Sequence, residues 1–235
     1  MATGALLTRL RERALDLVFP PRCAACGGAG AWFHDACLDA MPRAEPPRCI
    51  RCWFPAGPEG VCAQCRRRPA AFDGLRSLYV MAGGAREAVH ALKYRGHAAA
   101  GQRMGALMAR SARAFALSAD LVTCVPMLGR RRRTRGYNQA EMLGRAVARD
   151  LGLPFRRDAL RRIRGAPPQA RAETPEERWR NVAGAFAART EYVAGLRVLV
   201  VDDVATTGAT LDACATALRA AGASQVWCLT WARDR

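Results

Sequence analysis

Lysine is almost missing. Of 37 cationic side chains in 235 residues only Lys93 is a lysine, and the other 36 are arginines. Acidic residues are also short, 20 in all, which leaves a formal net charge of +17. Such a field attracts phosphates, nucleic acid or anionic lipid. An arginine excess can equally follow from the nucleotide composition of the coding sequence, so charge alone assigns no partner. The lone lysine marks a place for a compact ammonium in a chain that otherwise uses guanidinium forks. No apolar run reaches the roughly 20 residues a membrane-spanning helix needs, so membrane insertion is not expected. The first 21 residues lack the unbroken apolar core of a signal peptide, because Arg9, Arg11, Glu12, Arg13 and Asp16 interrupt them. Glu12 and Asp16 also disfavour a transit peptide, and a cytoplasmic location is expected. Leu6, Leu7, Leu10, Ala14, Leu17 and Val18 recur at helical spacing, which predicts a short amphipathic helix that docks on the body and stops at Pro20-Pro21.

Cysteine, by contrast, is plentiful. Ten are present and seven fall between Cys23 and Cys65, in a stretch rich in Pro and Gly with little periodicity. Such a stretch cannot bury enough apolar surface to fold unaided. In a reducing compartment, paired cysteines hold metal more often than disulfides. Cys49-x2-Cys52 followed by Cys62-x2-Cys65 supplies four thiolates for a tetrahedral Zn²⁺. Cys23-x2-Cys26 with His34-x2-Cys37 offers a second set of three thiolates and an imidazole. Two structural zinc ions are expected, since four strong protein ligands leave no open position for substrate. Cys124, Cys214 and Cys228 read as small buried hydrophobes.

From about Phe72 the pattern alternates. It predicts strands over 75–81, 121–125, 196–201 and 225–230, and helices over 85–94, 101–117, 138–151 and 209–221. That order indicates an α/β fold with a mostly parallel sheet flanked by helices. A boundary near residue 70 therefore separates an N-terminal helix and double zinc-ribbon domain, 1–70, from a second domain, 71–235. Val198 to Val201 is apolar on both faces, as a central covered strand should be.

That strand runs into VLVVDDVATTGATL, residues 198–211. At the carboxyl end of a parallel strand, loop N–H groups and a helix N-terminus converge on an anion, and Thr206, Thr207 and Thr210 add hydroxyl donors. Asp202 and Asp203 would repel a phosphate, so they suit sugar hydroxyls or a hydrated Mg²⁺. A phosphorylated sugar fits that mixture of donors and acceptors. The spacing is neither that of a Walker A loop nor GxGxxG. Two further segments are polar. Arg130 to Arg133, with Arg135, Gly136, Tyr137, Asn138 and Gln139, follows Val125-Pro126 and reads as a solvated basic turn, a nucleic-acid patch or part of an anion site. Residues 162–180 hold Pro167, Pro168, Gln169 and Arg178 with little apolar periodicity, which predicts a loop able to close over substrate.

Hydrophobic strand, Asp-Asp and A-T-T-G-A-T resemble the 5-phosphoribosyl-1-pyrophosphate (PRPP) motif of type I phosphoribosyltransferases. FPPRCAAC, the later cysteine pairs, ALKYRG, VPM with RGYNQAE, PPQARAETPEERWRNVAGAF and VDDVATTGAT together resemble the ComF family, across most of the chain. His34 departs from that family's pattern, which has cysteine there. The resemblance implies a type I phosphoribosyltransferase-like domain that binds PRPP with Mg²⁺. It implies ribose contacts at the catalytic positions Asp202 and Asp203, and a 5-phosphate cradle at Ala205, Thr206, Thr207, Gly208, Ala209 and Thr210. The pyrophosphate side would comprise Pro126, Arg135, Gly136, Asn138, Gln139 and Lys93. Arg164, Gln169, Arg178 and Asn181 match polar positions of the pattern with open roles. The implied partners are PRPP or a related phosphosugar or nucleotide, single-stranded DNA, and competence or helicase proteins. No general base or acceptor nucleophile is visible, so two readings stand: phosphoribosyl transfer to an unknown acceptor, or non-catalytic handling of single-stranded DNA in uptake or repair with PRPP as a regulatory ligand. The family's amidophosphoribosyltransferase-like label does not fit literally, because no glutaminase domain accompanies it.

Overall fold

The computed structural model describes residues 21–94, 98–127, 136–165 and 174–234. The 1–20 helix expected from the sequence lies outside them. Two short helices belong to the cysteine region, α1 (Asp35–Asp39) and α2 (Ala63–Arg67). Then follow β1 (Gly74–Val80), α3 (Gly83–Tyr94), α4 (Ala98–Ala114), β2 (Leu121–Cys124) and α5 (Gln139–Leu151). After a 3-10 turn at Arg157–Ala159 come β3 (Leu160–Arg162), α6 (Pro175–Val182), β4 (Phe186–Ala188) and α7 (Thr190–Val193). The chain ends on β5 (Arg197–Ala205), α8 (Ala209–Ala220) and β6 (Gln225–Arg233).

β1, β6, β5 and β2 lie in that order in one sheet, and every described pairing among them is parallel. A parallel sheet needs cover on both faces. Alternation along the strands supplies it: Val198 and Val200 pack with Cys214, Leu218 and Cys228 beneath α8, whereas Leu199 and Val201 pack with Met104, Met108, Leu143 and Val147 of α4 and α5. Cys124, Cys214 and Cys228 are fully buried, as small hydrophobes would be. β3 and β4 form a separate antiparallel ribbon, with Leu160 opposite Ala188.

The cysteine region packs on the main sheet rather than standing apart. Leu75 N–H donates to Arg51 O at 2.7 Å and Ala44 N–H to Leu78 O at 2.9 Å. Cys49, Cys52, Cys62 and Cys65 share one apolar cluster with Leu75, Leu121 and Val198. One difference from the sequence reading concerns 162–180. Part of that stretch is α6, whose start is a capping box: Glu177 N–H donates to Thr174 Oγ1, and Thr174 N–H to the Glu177 carboxylate, each at 3.2 Å. Residues 166–173 lie outside the described residues. None of the described helices is long and apolar enough to cross a membrane.

Helices α4 and α5 meet where a side chain has no room. A Cβ on Gly105 would stand 2.3 Å from Ala146 Cβ and 3.1 Å from Leu143 O. Gly105→Ala gains about 1 kcal/mol of helix propensity, but forcing the helices apart costs about 1–3 kcal/mol. The backbone oxygen cannot yield as a side chain would, so the clash dominates. The variant is expected to melt below the parent, by up to roughly 8 °C, read by differential scanning calorimetry.

Candidate functional site

β5 is buried through Val201, and its carboxyl end carries the chemistry. Asp202 and Asp203 lie in the last part of the strand, which ends at Ala205; Thr206, Thr207 and Gly208 follow, and Gly208 caps α8 with φ +82°. That left-handed conformation costs glycine little and a residue with a Cβ more. Ala209 N–H is engaged by Thr207 Oγ1 at 3.3 Å, and Asp212 N–H by Gly208 O at 2.9 Å. Thr206 is exposed, while Thr207 and Thr210 are half-buried.

Strand alternation gives the two acids different surroundings. Asp203 points toward α3, where its Oδ2 lies 2.9 Å from Lys93 Nζ. The chain's single lysine therefore sits at this strand end, a distance the sequence could not supply. Lys93 is 27% and Asp203 13% exposed at the side chain, so the pair keeps one accessible edge. Asp202 accepts the Asp203 N–H at 2.9 Å, and Asp203 accepts that of Val204 at 2.9 Å. Burial, and then the adjacent Asp203 charge, push the Asp202 carboxyl well above the usual carboxylate range; Lys93 pulls in the opposite direction.

The β2 end adjoins this point. Val125 N–H donates to Val201 O at 3.0 Å, and Asn138 Nδ2 donates to Val125 O at 3.1 Å. Asn138 Oδ1 also caps α5 by accepting Ala140 N–H at 3.1 Å. Tyr137 hydroxyl donates to Leu92 O, beside Lys93. Gln139 is buried, and its Nε2 is without a partner among the described residues. Pro126 is half-buried and Gly136 exposed on the same connection. Thus Lys93, Asn138 and the 202–210 segment are linked through β2, β5 and α3. Arg130 to Arg133, Arg135 and Gln169 lie outside the described residues. Arg164 bonds instead to the carbonyls of Ala183 and Gly184, at 2.8 and 3.3 Å.

Two contacts were not legible in the sequence. Arg233, at the end of β6, donates through Nη1 to Thr206 O, and Gln64 of α2 donates through Nε2 to Thr207 O at 3.5 Å. Nothing in the local pattern of either residue signals it, because both contacts join segments far apart in the chain.

The donor sets fit zinc. In each of the two groups, Cys23/Cys26/His34/Cys37 and Cys49/Cys52/Cys62/Cys65, the ligand atoms all lie within 4.8 Å of one another. Cys52 Sγ and Cys62 Sγ are 3.6 Å apart, close to the ~3.8 Å edge of a tetrahedron with 2.3 Å Zn–S bonds. None of the ten cysteines is in a disulfide. The residues after the second cysteine of two knuckles, Gly27 and Trp53, have φ of +76° and +60°, which closes both turns alike. His34 Nδ1 lies 3.4 Å from Cys26 Sγ and 3.8 Å from Cys37 Sγ, while Nε2 is 3.1 Å from Ala29 O. A proton on Nε2 directed at that carbonyl leaves Nδ1 free for metal. Cys52 is held down to about 5, chiefly by a hydrogen bond from Cys65, with the Arg233 charge contributing.

Residues 94–235 match the family model described as Phosphoribosyl transferase domain, the class of protein that this sheet and strand end define. The chain is 34% identical over 226 residues to "DNA utilization protein YhgH" of Salmonella typhi, covering 91% of this chain and 98% of that one. It is 35% identical over 113 residues to "Competence protein F" of Haemophilus influenzae, covering 46% and 48%. The chain belongs to the ComF family. Among solved structures, the glutamine PRPP amidotransferase from B. subtilis aligns with a TM-score of 0.40 at 25% identity, over 55% of this chain and 25% of that one.

Elemental analysis of the purified protein is expected to give two zinc atoms per chain. His34→Ala should lower this toward one, whereas His34→Cys should hold two; a full complement in His34→Ala would remove His34 from the ligand set. Asp202 yields a second expectation. Its raised carboxyl keeps a proton in the folded state that the unfolded chain has released, so stability falls as pH climbs from the unfolded value toward the folded one. Asp202→Asn keeps the acceptor for Asp203 N–H and removes the charge, so its melting temperature at pH 7–8 should exceed the parent's, with the gap closing in acid.

Proposed function

We propose that this chain binds PRPP at the carboxyl end of β5, with Mg²⁺, and that the site serves DNA utilization. The observation that carries the reading is the Asp202-Asp203 strand end running through a Gly208 turn into α8, with the lone lysine in contact with Asp203. Acceptors and donors are segregated there as a phosphopentose requires. The 205–209 amides, the Thr206, Thr207 and Thr210 hydroxyls and the start of α8 would hold the 5-phosphate. The two carboxylates would accept ribose hydroxyls. Lys93, Asn138, Gln139 and the connection from Pro126 would face the pyrophosphate. Carboxylate oxygens fit a hard dication, and Asp202 and Asp203 are the residues that would hold Mg²⁺ directly or through water. When bound with PRPP, Mg²⁺ would neutralise charge on the leaving pyrophosphate.

This chain's own part in transfer would be to fix the ribose between the loop and the acids while Lys93 adds a compact positive charge. The two zinc centres are assigned a structural role, in a unit of about residues 1–70 joined to a phosphoribosyltransferase-like unit of 71–235. A second reading rests on the net charge of +17 and on relatives named for DNA utilization and competence. In that reading the chain handles single-stranded DNA without turnover, its arginines grip phosphates, and PRPP regulates the grip.

Calorimetric titration of PRPP and Mg²⁺ into the zinc-loaded protein tests the site. Saturable binding is expected, and Asp203→Asn and Lys93→Met should each weaken it roughly 10- to 100-fold, the worth of one charge-assisted contact. Affinity unmoved by both changes rejects the site. Single-stranded DNA binding that drops steeply with salt, without pyrophosphate release from PRPP, selects the second reading; pyrophosphate release dependent on an added acceptor selects transfer.

A further inference from the structure

Arg233 is an unusual residue to find in a core. It is 1% exposed, sits opposite Ala205 in the β5–β6 ladder, and its Nε has no partner among the described residues. Its guanidinium faces two things at once. One is the carbonyl of Thr206, to which Nη1 donates in the middle of the anion loop. The other is the four-cysteine knuckle: the ring of Phe54, two residues beyond Cys52, stands 5.4 Å from its Cζ, and burial disfavours the guanidinium charge while Cys52, then Cys62 and Cys65, favour it. A buried cation is retained only when a counter-charge meets it. Four thiolates around one dication would carry a net double negative charge, and a metal bound there would supply that counter-charge.

A second strut runs the same way. Gln64 lies between the ligands Cys62 and Cys65 on α2, and its Nε2 reaches Thr207 O. The knuckle and Arg233 therefore hold two successive carbonyls of the loop, those of Thr206 and Thr207.

We propose that Arg233 is a positioning residue that couples the Cys49/Cys52/Cys62/Cys65 metal centre to the anion loop, so that metal occupancy there sets phosphate affinity and a bound phosphate in turn retards metal loss. The phosphate half of this statement rests on the PRPP reading of the loop; the metal half does not. Coupling of this kind is reciprocal, because each ligand shifts the other's affinity by the same factor.

The experiment follows zinc release from the full-length protein to an excess of a chromogenic chelator, with and without saturating PRPP and Mg²⁺. It compares the parent with Arg233→Met, Arg233→Lys and Gln64→Ala, all of which keep the eight ligands. In the parent, PRPP is expected to slow the release of one of the two zinc equivalents by about fivefold or more. In Arg233→Met that equivalent should leave faster and PRPP should no longer protect it, while the other equivalent is unchanged; Arg233→Lys should restore part of the retention through charge alone. Parent-like release and protection in Arg233→Met would overturn the proposal, as would a protein with no zinc at the four-cysteine site.

If the parent binds no PRPP, the site reading fails by itself. Amide hydrogen exchange at 205–209 then decides the coupling: protection there should fall in Arg233→Met and Gln64→Ala while the β2–β5 ladder stays protected. Unchanged exchange at the loop would overturn it. If Arg233→Met does not fold, Gln64→Ala and Arg233→Lys carry the same comparison.

Discussion

Burial of β5 on both faces is the constraint from which the rest follows. Val198, Leu199, Val200 and Val201 are each fully enclosed, with β2 and β6 on either side. A strand so covered can offer polar chemistry only where it leaves the sheet. After that buried run the first polar residues, Asp202 and Asp203, come just before the exit at Ala205, and the next turn must expose backbone N–H groups as α8 begins. Each neighbouring strand contributes at the same level: Val125 at the end of β2, and Arg233 at the end of β6. The candidate site is thus the carboxyl end of the sheet rather than a pocket added to it.

The cysteine region extends that scaffold. Its backbone pairs with β1 at Leu75 and Leu78, and the four-cysteine centre shares apolar neighbours with the sheet. Trp53 donates from Nε1 to Ala44 O at 2.9 Å, packs edge-on against Phe115, just past α4, at 5.3 Å, and carries the Arg76 guanidinium over its ring at 4.5 Å. A region with few apolar residues of its own is thereby fixed by metal ligands on one side and by the sheet on the other. That arrangement places Gln64 against the loop, a contact a separately tethered zinc ribbon could not make.

Charge in the strand end is held at a cost to stability. Asp202 is half-buried and adjacent to a second acid, and Lys93 relieves only Asp203 directly. Packing alone would favour an uncharged residue at position 202. Arg233 presents the converse case, a buried cation whose charge burial disfavours and the neighbouring cysteines, Cys52 first, favour. Both groups lie within a few residues of the same turn.

By itself the sequence determined the elements whose patterns are local. The four parallel strands and their helices appear within a few residues of the positions that periodicity indicates, since burial on one or two faces writes itself into neighbouring residues. The cysteine spacing likewise specified two ligand sets, and the Asp-Asp and Thr/Gly run marked the loop. Helix α6 was also encoded, in the T-P-E-E capping box, but weak apolar periodicity hid it. Only the tertiary structure decided what depends on distant segments meeting: that Lys93 touches Asp203, that Asn138 ties β2 to α5, that His34 Nδ1 turns toward two sulfurs, and that Arg233 and Gln64 support the loop. Those contacts span separations over which one chain pattern carries no distance, because they are set by strand order and by how two helices and a metal knuckle settle on one sheet.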